Sequence, residues 1–85
     1  MKAKWLEEFY RNYHKLPVPI QKKTQRVITY LMRDLRHPGV RAKKVVNHLD
    51  IWEARVDIHH RMTFKIEADV LVFRRVGLHD ILKNP

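Results

Sequence analysis

The chain contains no cysteine, which excludes a disulfide framework and a thiolate zinc site and makes a cytoplasmic location the expectation. Long apolar runs are missing too. Met1 to Lys4 opens directly into an amphipathic segment, which argues against a signal peptide and a membrane-spanning helix. Glycine-rich phosphate loops, a nucleophilic serine elbow and helix-turn-helix spacing are all absent. No two histidines stand at helical i, i+4 spacing and no carboxylate cluster converges with them, so neither a metal nor another cofactor is expected. Acid is scarce: nine Asp and Glu face eighteen Lys and Arg, a formal charge of +9. That excess favours nucleic acid or an acidic protein partner, and an anionic membrane surface ranks third without an apolar anchor.

With 85 residues, 45% of them hydrophobic, and no repeat, linker or low-complexity tract, the chain reads as one domain, residues 1–85, with one core. Trp5, Leu6, Phe9, Tyr13 and Leu16 recur at three- and four-residue steps and predict a first helix. Leu16-Pro17-Val18-Pro19 breaks it, and Pro19 is placed to start a second. From Ile20 to Leu35 the set Ile20, Val27, Ile28, Leu31 and Leu35 keeps the helical period, so an antiparallel pair follows. Arg36-His37-Pro38-Gly39 ends it.

The period then changes to two. Strands are predicted over Val40 to Val46, Ile51 to Asp57, Arg61 to Glu67 and Val70 to Val76. Turns centred near His59 and Ala68 put Trp52, Ala54, Val56, Met62, Phe64, Ile66, Val70 and Val72 on the face that meets the helices. The other face collects Glu53, Arg55, Asp57, Arg61, Thr63, Lys65, Leu71, Phe73 and Arg75, with Glu53 opposite Lys65 and Arg61 opposite Arg75. The last strand is apolar on both faces, so it is central or covered by the chain's ends. The expected fold is α+β in two layers: an antiparallel helix pair on one face of a twisted, mainly antiparallel four-stranded sheet.

Adjacent Arg61 and Arg75 repel by a few tenths to about 1 kcal/mol unless an anion fills the gap. Arginine forks grip phosphoryl oxygens at two points and neutralise charge building on a pentacoordinate phosphorus. A solvated basic face, salt-bridged to Asp57 or Glu53, is the alternative. His79 follows Val76-Gly77 and is placed at the rim of the arginine surface, where an imidazole can act as acid or base. His14 and His37 read as boundary residues, whereas for His48, His59 and His60 turn chemistry and catalysis stay equally open. Metal-free ribonuclease chemistry needs a base for the 2′-hydroxyl, an acid for the leaving 5′-oxygen and cations for the phosphorane. Lys43 and Lys44 are contributors to such a site or plain solvent-facing lysines. Trp52 and Phe64 read as core, leaving Phe73 as the base-stacking candidate.

Four runs carry a resemblance: Arg36-His37-Pro38-Gly39-Val40-Arg41-Ala42-Lys43-Lys44, Ile51-Trp52-Glu53-Ala54-Arg55-Val56, His60-Arg61-Met62-Thr63-Phe64 and Val76-Gly77-Leu78-His79-Asp80-Ile81-Leu82. Together they resemble the RelE/ParE superfamily of toxins from type II toxin-antitoxin modules, over nearly the whole chain. The resemblance implies a toxin neutralised by a cognate acidic antitoxin, the complex repressing its own operator DNA. Its RelE-like and YafQ-like branches cleave messenger RNA on the ribosome and inhibit translation, whereas the ParE-like branch poisons DNA gyrase and cuts nothing. Carried over, the arginine opening the third strand corresponds to Arg61 and the histidine after the last strand to His79. The RelE-like lysines map onto Lys43 and Lys44 and the second-strand basic residue onto Arg55. Arg41 and His60, inside the same runs, join them as RNA-binding residues. Two features depart from the family: no tyrosine follows Tyr30, and Met1 to Lys4 is too short for the usual first strand. A shortened, inactive toxin that only binds RNA or antitoxin is therefore a third reading.

Overall fold

The computed structural model describes the backbone of residues 1–85 and every side chain except that of Leu49. Its elements are β1 (Lys2–Trp5), α1 (Glu7–His14), α2 (Val18–Arg33), β2 (Lys43–Val45), β3 (His48–Arg55), β4 (His60–Glu67) and β5 (Val70–Leu78), followed by a 3-10 turn at His79–Lys83. The strands form one sheet in the order β1-β5-β4-β3-β2, all antiparallel except the β1–β5 pair. Neither helix is long and apolar enough to cross a membrane.

The sheet has five strands, not four, because the first one is present. Four residues suffice: Lys2 to Trp5 lie in register with Val70 to Phe73, and Lys2 N–H to Asp69 O and Leu6 N–H to Phe73 O close the two ends of the ladder. Trp5, expected on the first helix, belongs to this strand. It stacks on Phe73 with centroids 5.8 Å apart, and Phe9, four residues on, meets the same ring at 5.7 Å. One shared target thus imitates helical spacing across a strand-to-helix boundary. Leu6 is extended, and α1 begins at Glu7 with Glu7 and Glu8 in its first turn, the sign its dipole favours.

The helices cover one face. Phe9 from α1, Val27 and Leu31 from α2, and Ala54, Met62, Phe64, Leu71, Phe73 and Val76 from the sheet share a single core. β5, apolar on both sides, lies inside the sheet between β1 and β4. Where β1 has ended, the Asn12 side-chain oxygen accepts from Val76 N–H, so the strand edge stays paired. On the far face the 3-10 turn folds back and buries Ile81; a Cβ on Gly77 would lie 3.1 Å from the Ile81 methyl.

Two registers differ from expectation. β3 and β4 pair Glu53 with Thr63 and Arg55 with Arg61, not Glu53 with Lys65. The Asp57 carboxylate accepts from His59 and His60 N–H and so closes the turn one residue earlier than predicted. A shift of two in pairing keeps every side chain on its predicted face. On β5 the outcome is less conservative. The turn is the two-residue Ala68-Asp69, and a bulge at Arg74 changes the pairing from Phe64 with Phe73 to Thr63 with Arg75. Leu71 and Phe73 therefore face the helices, and Val70 and Val72 face away, the reverse of the sequence expectation. The extra residue restores the parity beyond it, so Val76 returns to the core and Arg75 to the far face.

Ala68 holds a φ of 53°, a left-handed conformation that costs a non-glycine residue about 1 kcal/mol. Ala68→Gly is expected to raise the urea midpoint by the equivalent of about 0.5–1 kcal/mol without changing the slope. A lowered midpoint would contradict it.

Candidate nucleic-acid interface

The face away from the helices is covered by the C-terminal turn on its β5 side and open on its β2 side. There Arg41, Lys43, Glu53, Arg55 and Arg61 line a groove of about 220 Å3. Pairing builds it: Lys43 on β2 is opposite Glu53 on β3, and Arg55 is opposite Arg61 on β4. The expected arginine pair is real in kind but has different members. Arg61 faces Gly77, while Arg75 lies two pairs along, opposite Thr63.

Arg41 reaches the groove from the loop before β2, where Arg55 N–H donates to Val40 O at 2.7 Å and Val40 is fully buried. That tether leaves Arg41 at a φ of 49°, a strained non-glycine conformation beside the cationic site.

Arg61 is held on two sides. Its Nη1 donates to the carbonyl oxygens of Asp57 at 2.7 Å and His60 at 3.0 Å. Its Nε lies 4.0 Å from Glu53 Oε1, and the two side chains are only 15% and 10% exposed. Among the described residues no protein acceptor takes Nη2, so the fork is fixed at one corner and keeps donors for a ligand. Glu53 enters the site as more than the salt-bridge partner that the sequence suggests. A carboxylate mid-strand with lysine and arginines on adjacent same-face positions is the signal that could have raised it.

The Asp57 turn organises this end of the sheet. Oδ1 of Asp57 accepts from His59 N–H at 2.9 Å and His60 N–H at 2.7 Å and lies 2.9 Å from His60 Nδ1. Burial acts to raise the Asp57 pKa, but the His60 ring and the two amides together outweigh it and hold the carboxyl at about 2 against an ordinary 3.8. A depressed carboxyl contributes stability above its unfolded pKa and loses it as pH falls through the folded one. Asp57→Asn is accordingly expected to lose about 2 kcal/mol at neutral pH. In urea titrations the gap to the parent chain should narrow as pH drops from 3.8 to about 2. A gap that stayed constant with pH would show that charge is not what the turn uses.

The other predicted residues scatter. His79 is exposed at the start of the 3-10 turn, past the end of β5, with its N–H on His59 O at 3.0 Å. Arg75 donates from Nη1 to Asn84 O at 2.8 Å, and its Nε is buried without a partner. Thr63 Oγ and Arg74 Nε reach the backbone oxygen of Pro85 beside it. Lys44 pairs with Trp52, and its Nζ stands 5.9 Å from that ring, so it shares the opposite face and not the groove. His60 turns back to Asp57. Phe73 is fully buried between Phe9, Phe64 and Trp5 and offers no ring face to a base. It is no stacking platform, because the two-residue Ala68-Asp69 turn sets β5 one residue out of the expected register as far as the bulge at Arg74. His37 stacks flat on Tyr30, with centroids 4.3 Å apart. Among the described residues no three His, Asp or Glu side chains are grouped to hold a metal.

No protein-family model and no curated protein sequence matches the chain. Solved structures do. The YoeB/ParE toxin from Agrobacterium tumefaciens superimposes with a TM-score of 0.80 at 15% identity, covering 93% of this chain and 99% of that one. RelE in the RelB-RelE antitoxin-toxin complex from Methanococcus jannaschii gives 0.76 at 16% identity, covering 95% of each chain. The E. coli DinJ-YafQ complex gives 0.75 at 15% identity, covering 95% and 96%. The chain thus has the fold of these RelE, YoeB/ParE and YafQ toxins.

Proposed function

We propose that the chain is the toxin of a type II toxin-antitoxin module and cleaves messenger RNA held in the ribosome. The observation that carries this reading is the groove. Four cations, Arg41, Lys43, Arg55 and Arg61, surround a nearly buried Glu53 on a fold shared with RelE, YoeB and YafQ. Such a surface attracts a polyanion, and its fixed arginine can neutralise a phosphorane as charge develops. Arg61 is the phosphate ligand in this reading. Glu53, 4.0 Å from it, is placed to take the 2′-hydroxyl proton, and His79 at the end of β5 supplies the acid for the 5′-oxygen. Arg75 is the second cation, and to reach phosphate it has to release the Asn84 carbonyl. Arg41, Lys43 and Arg55 bind the flanking backbone. An acidic antitoxin is the partner that the same charge calls for.

Toe-printing of a cell-free translation reaction tests the reading. Cuts at ribosome-held codons that vanish in His79→Ala and Arg61→Lys are expected. Uncut messages accompanied by DNA breaks would turn the assignment to a gyrase-directed toxin. Salt-sensitive RNA binding without growth arrest would reduce it to a binding module.

A further inference from the structure

We propose that the RNA path does not end at the groove but turns round the β3–β4 end of the sheet onto α2, where Lys23 and Arg26 form a second phosphate-binding surface for single-stranded RNA. This rests on the RNA reading above.

A second depression, of about 380 Å3, is lined by Lys23, Arg26 and Tyr30 of α2 together with Arg55 and Ile58. Arg55 also lines the groove that contains Arg41, Lys43 and Arg61. One side chain therefore belongs to both surfaces, and the two are continuous. Along them lie six cations: Lys23, Arg26, Arg55, Arg41, Lys43 and Arg61. The two carboxylates on the path are both engaged, Glu53 with Arg61 at 4.0 Å and Asp57 with His60 and two amides. Six cations against two carboxylates still leave an excess of four positive charges.

α2 itself points the same way. Between Val18 and Arg33 it carries Lys22, Lys23, Arg26 and Arg33 and not one acid, whereas α1 pairs its Arg11 with Glu7 and Glu8. Lys22 and Arg26 stand four apart on one helix face, where like charges repel. Lys23 and Arg26 are exposed and make no ion pair among the described residues. A helix that keeps such repulsion unrelieved suits a polyanion. Tyr30, whose ring is set by its stack on His37, adds an aromatic group to the same depression, as single-strand sites commonly do. An acidic peptide would need apolar anchors beside the cations, and the depression exposes one aliphatic side chain, Ile58, at 68%. The chemistry favours a phosphate backbone.

The test compares the parent chain with Lys23→Ala/Arg26→Ala, using labelled single-stranded RNA of about 12 and about 4 nucleotides in anisotropy titrations against salt. Two lost phosphate contacts on a single strand should make the salt slope shallower by about 1.4 and weaken the longer RNA roughly 20-fold at 0.1 M salt. The shorter RNA, which fills only the groove, should be unaffected. If the double variant binds the longer RNA as the parent does, while Lys43→Ala still weakens it, the α2 surface is wrong and the groove reading survives. If the parent binds neither RNA, the α2 surface falls, and toe-printing alone decides the groove reading. Loss of polyglutamate binding in the double variant, with RNA binding intact, would assign the surface to an acidic protein and overturn the proposal.

Discussion

Arg61→Lys is expected to reduce messenger cleavage on the ribosome by about 10²–10³-fold while the chain stays folded. The groove explains why lysine is the informative substitution. Lysine keeps the positive charge beside Glu53 but loses the planar fork, whose Nη1 is anchored on the Asp57 and His60 carbonyls while Nη2 is left for a ligand. An ammonium on a flexible stem cannot hold both ends, so alignment with the phosphorane suffers more than ground-state attraction does. The deficit should fall on the cleavage rate, with RNA affinity changing only a few-fold. Arg61→Ala is less clean, because it also takes the Arg61 cation away from a carboxylate only 10% exposed, which is destabilising in itself. Cleavage by Arg61→Lys at the parent rate, measured by toe-printing with matched ribosome occupancy, would remove Arg61 from the chemistry.

The same residue shows where sequence reasoning held. Its face could be read because β3 and β4 alternate cleanly and because an error of two in the turn leaves parity untouched. Its neighbours could not, since the true cross-strand partner depends on where Asp57 closes the turn, and that is decided by three hydrogen bonds rather than by hydrophobic pattern. Glu53 carries a visible signal, an acid on the same strand face as Arg55 and Arg61. Lys43 and Lys44 are adjacent in sequence and read alike there, yet strand geometry forces them to opposite faces. Met1 to Lys4 reads as too short for a first strand because its partner is nearly seventy positions away in the chain, Lys2 with Val70, and because Trp5 and Phe9 share one aromatic target. Nothing in Phe73-Arg74-Arg75 marks a bulge, for it contains neither glycine nor proline. The two-residue turn exchanges the inner and outer faces of β5 as far as Phe73, and the unsignalled extra residue at Arg74 ends that exchange.

That exchange gives Phe73→Ala its expected result, a loss of about 3–5 kcal/mol of stability. Phe73 is fully buried, with Trp5, Phe9 and Phe64 centroids within 5.8, 5.7 and 6.1 Å. It is the point where β1, α1 and β4 meet, and its carbonyl also accepts the Leu6 N–H that closes the β1 ladder. Truncation leaves a ring-sized void that three aromatics from separate elements cannot fill together. Against the ~5–15 kcal/mol typical of a small domain, the variant should be marginally folded, whereas Phe73→Leu, which keeps most of the volume, should lose far less. Urea unfolding followed by tryptophan emission makes the measurement, with Trp5 stacked on this ring and Trp52 on the neighbouring Phe64. A base-stacking Phe73 predicts the opposite pattern: RNA affinity would fall with the urea midpoint unchanged, and that result would restore the alternation that the bulge at Arg74 interrupts.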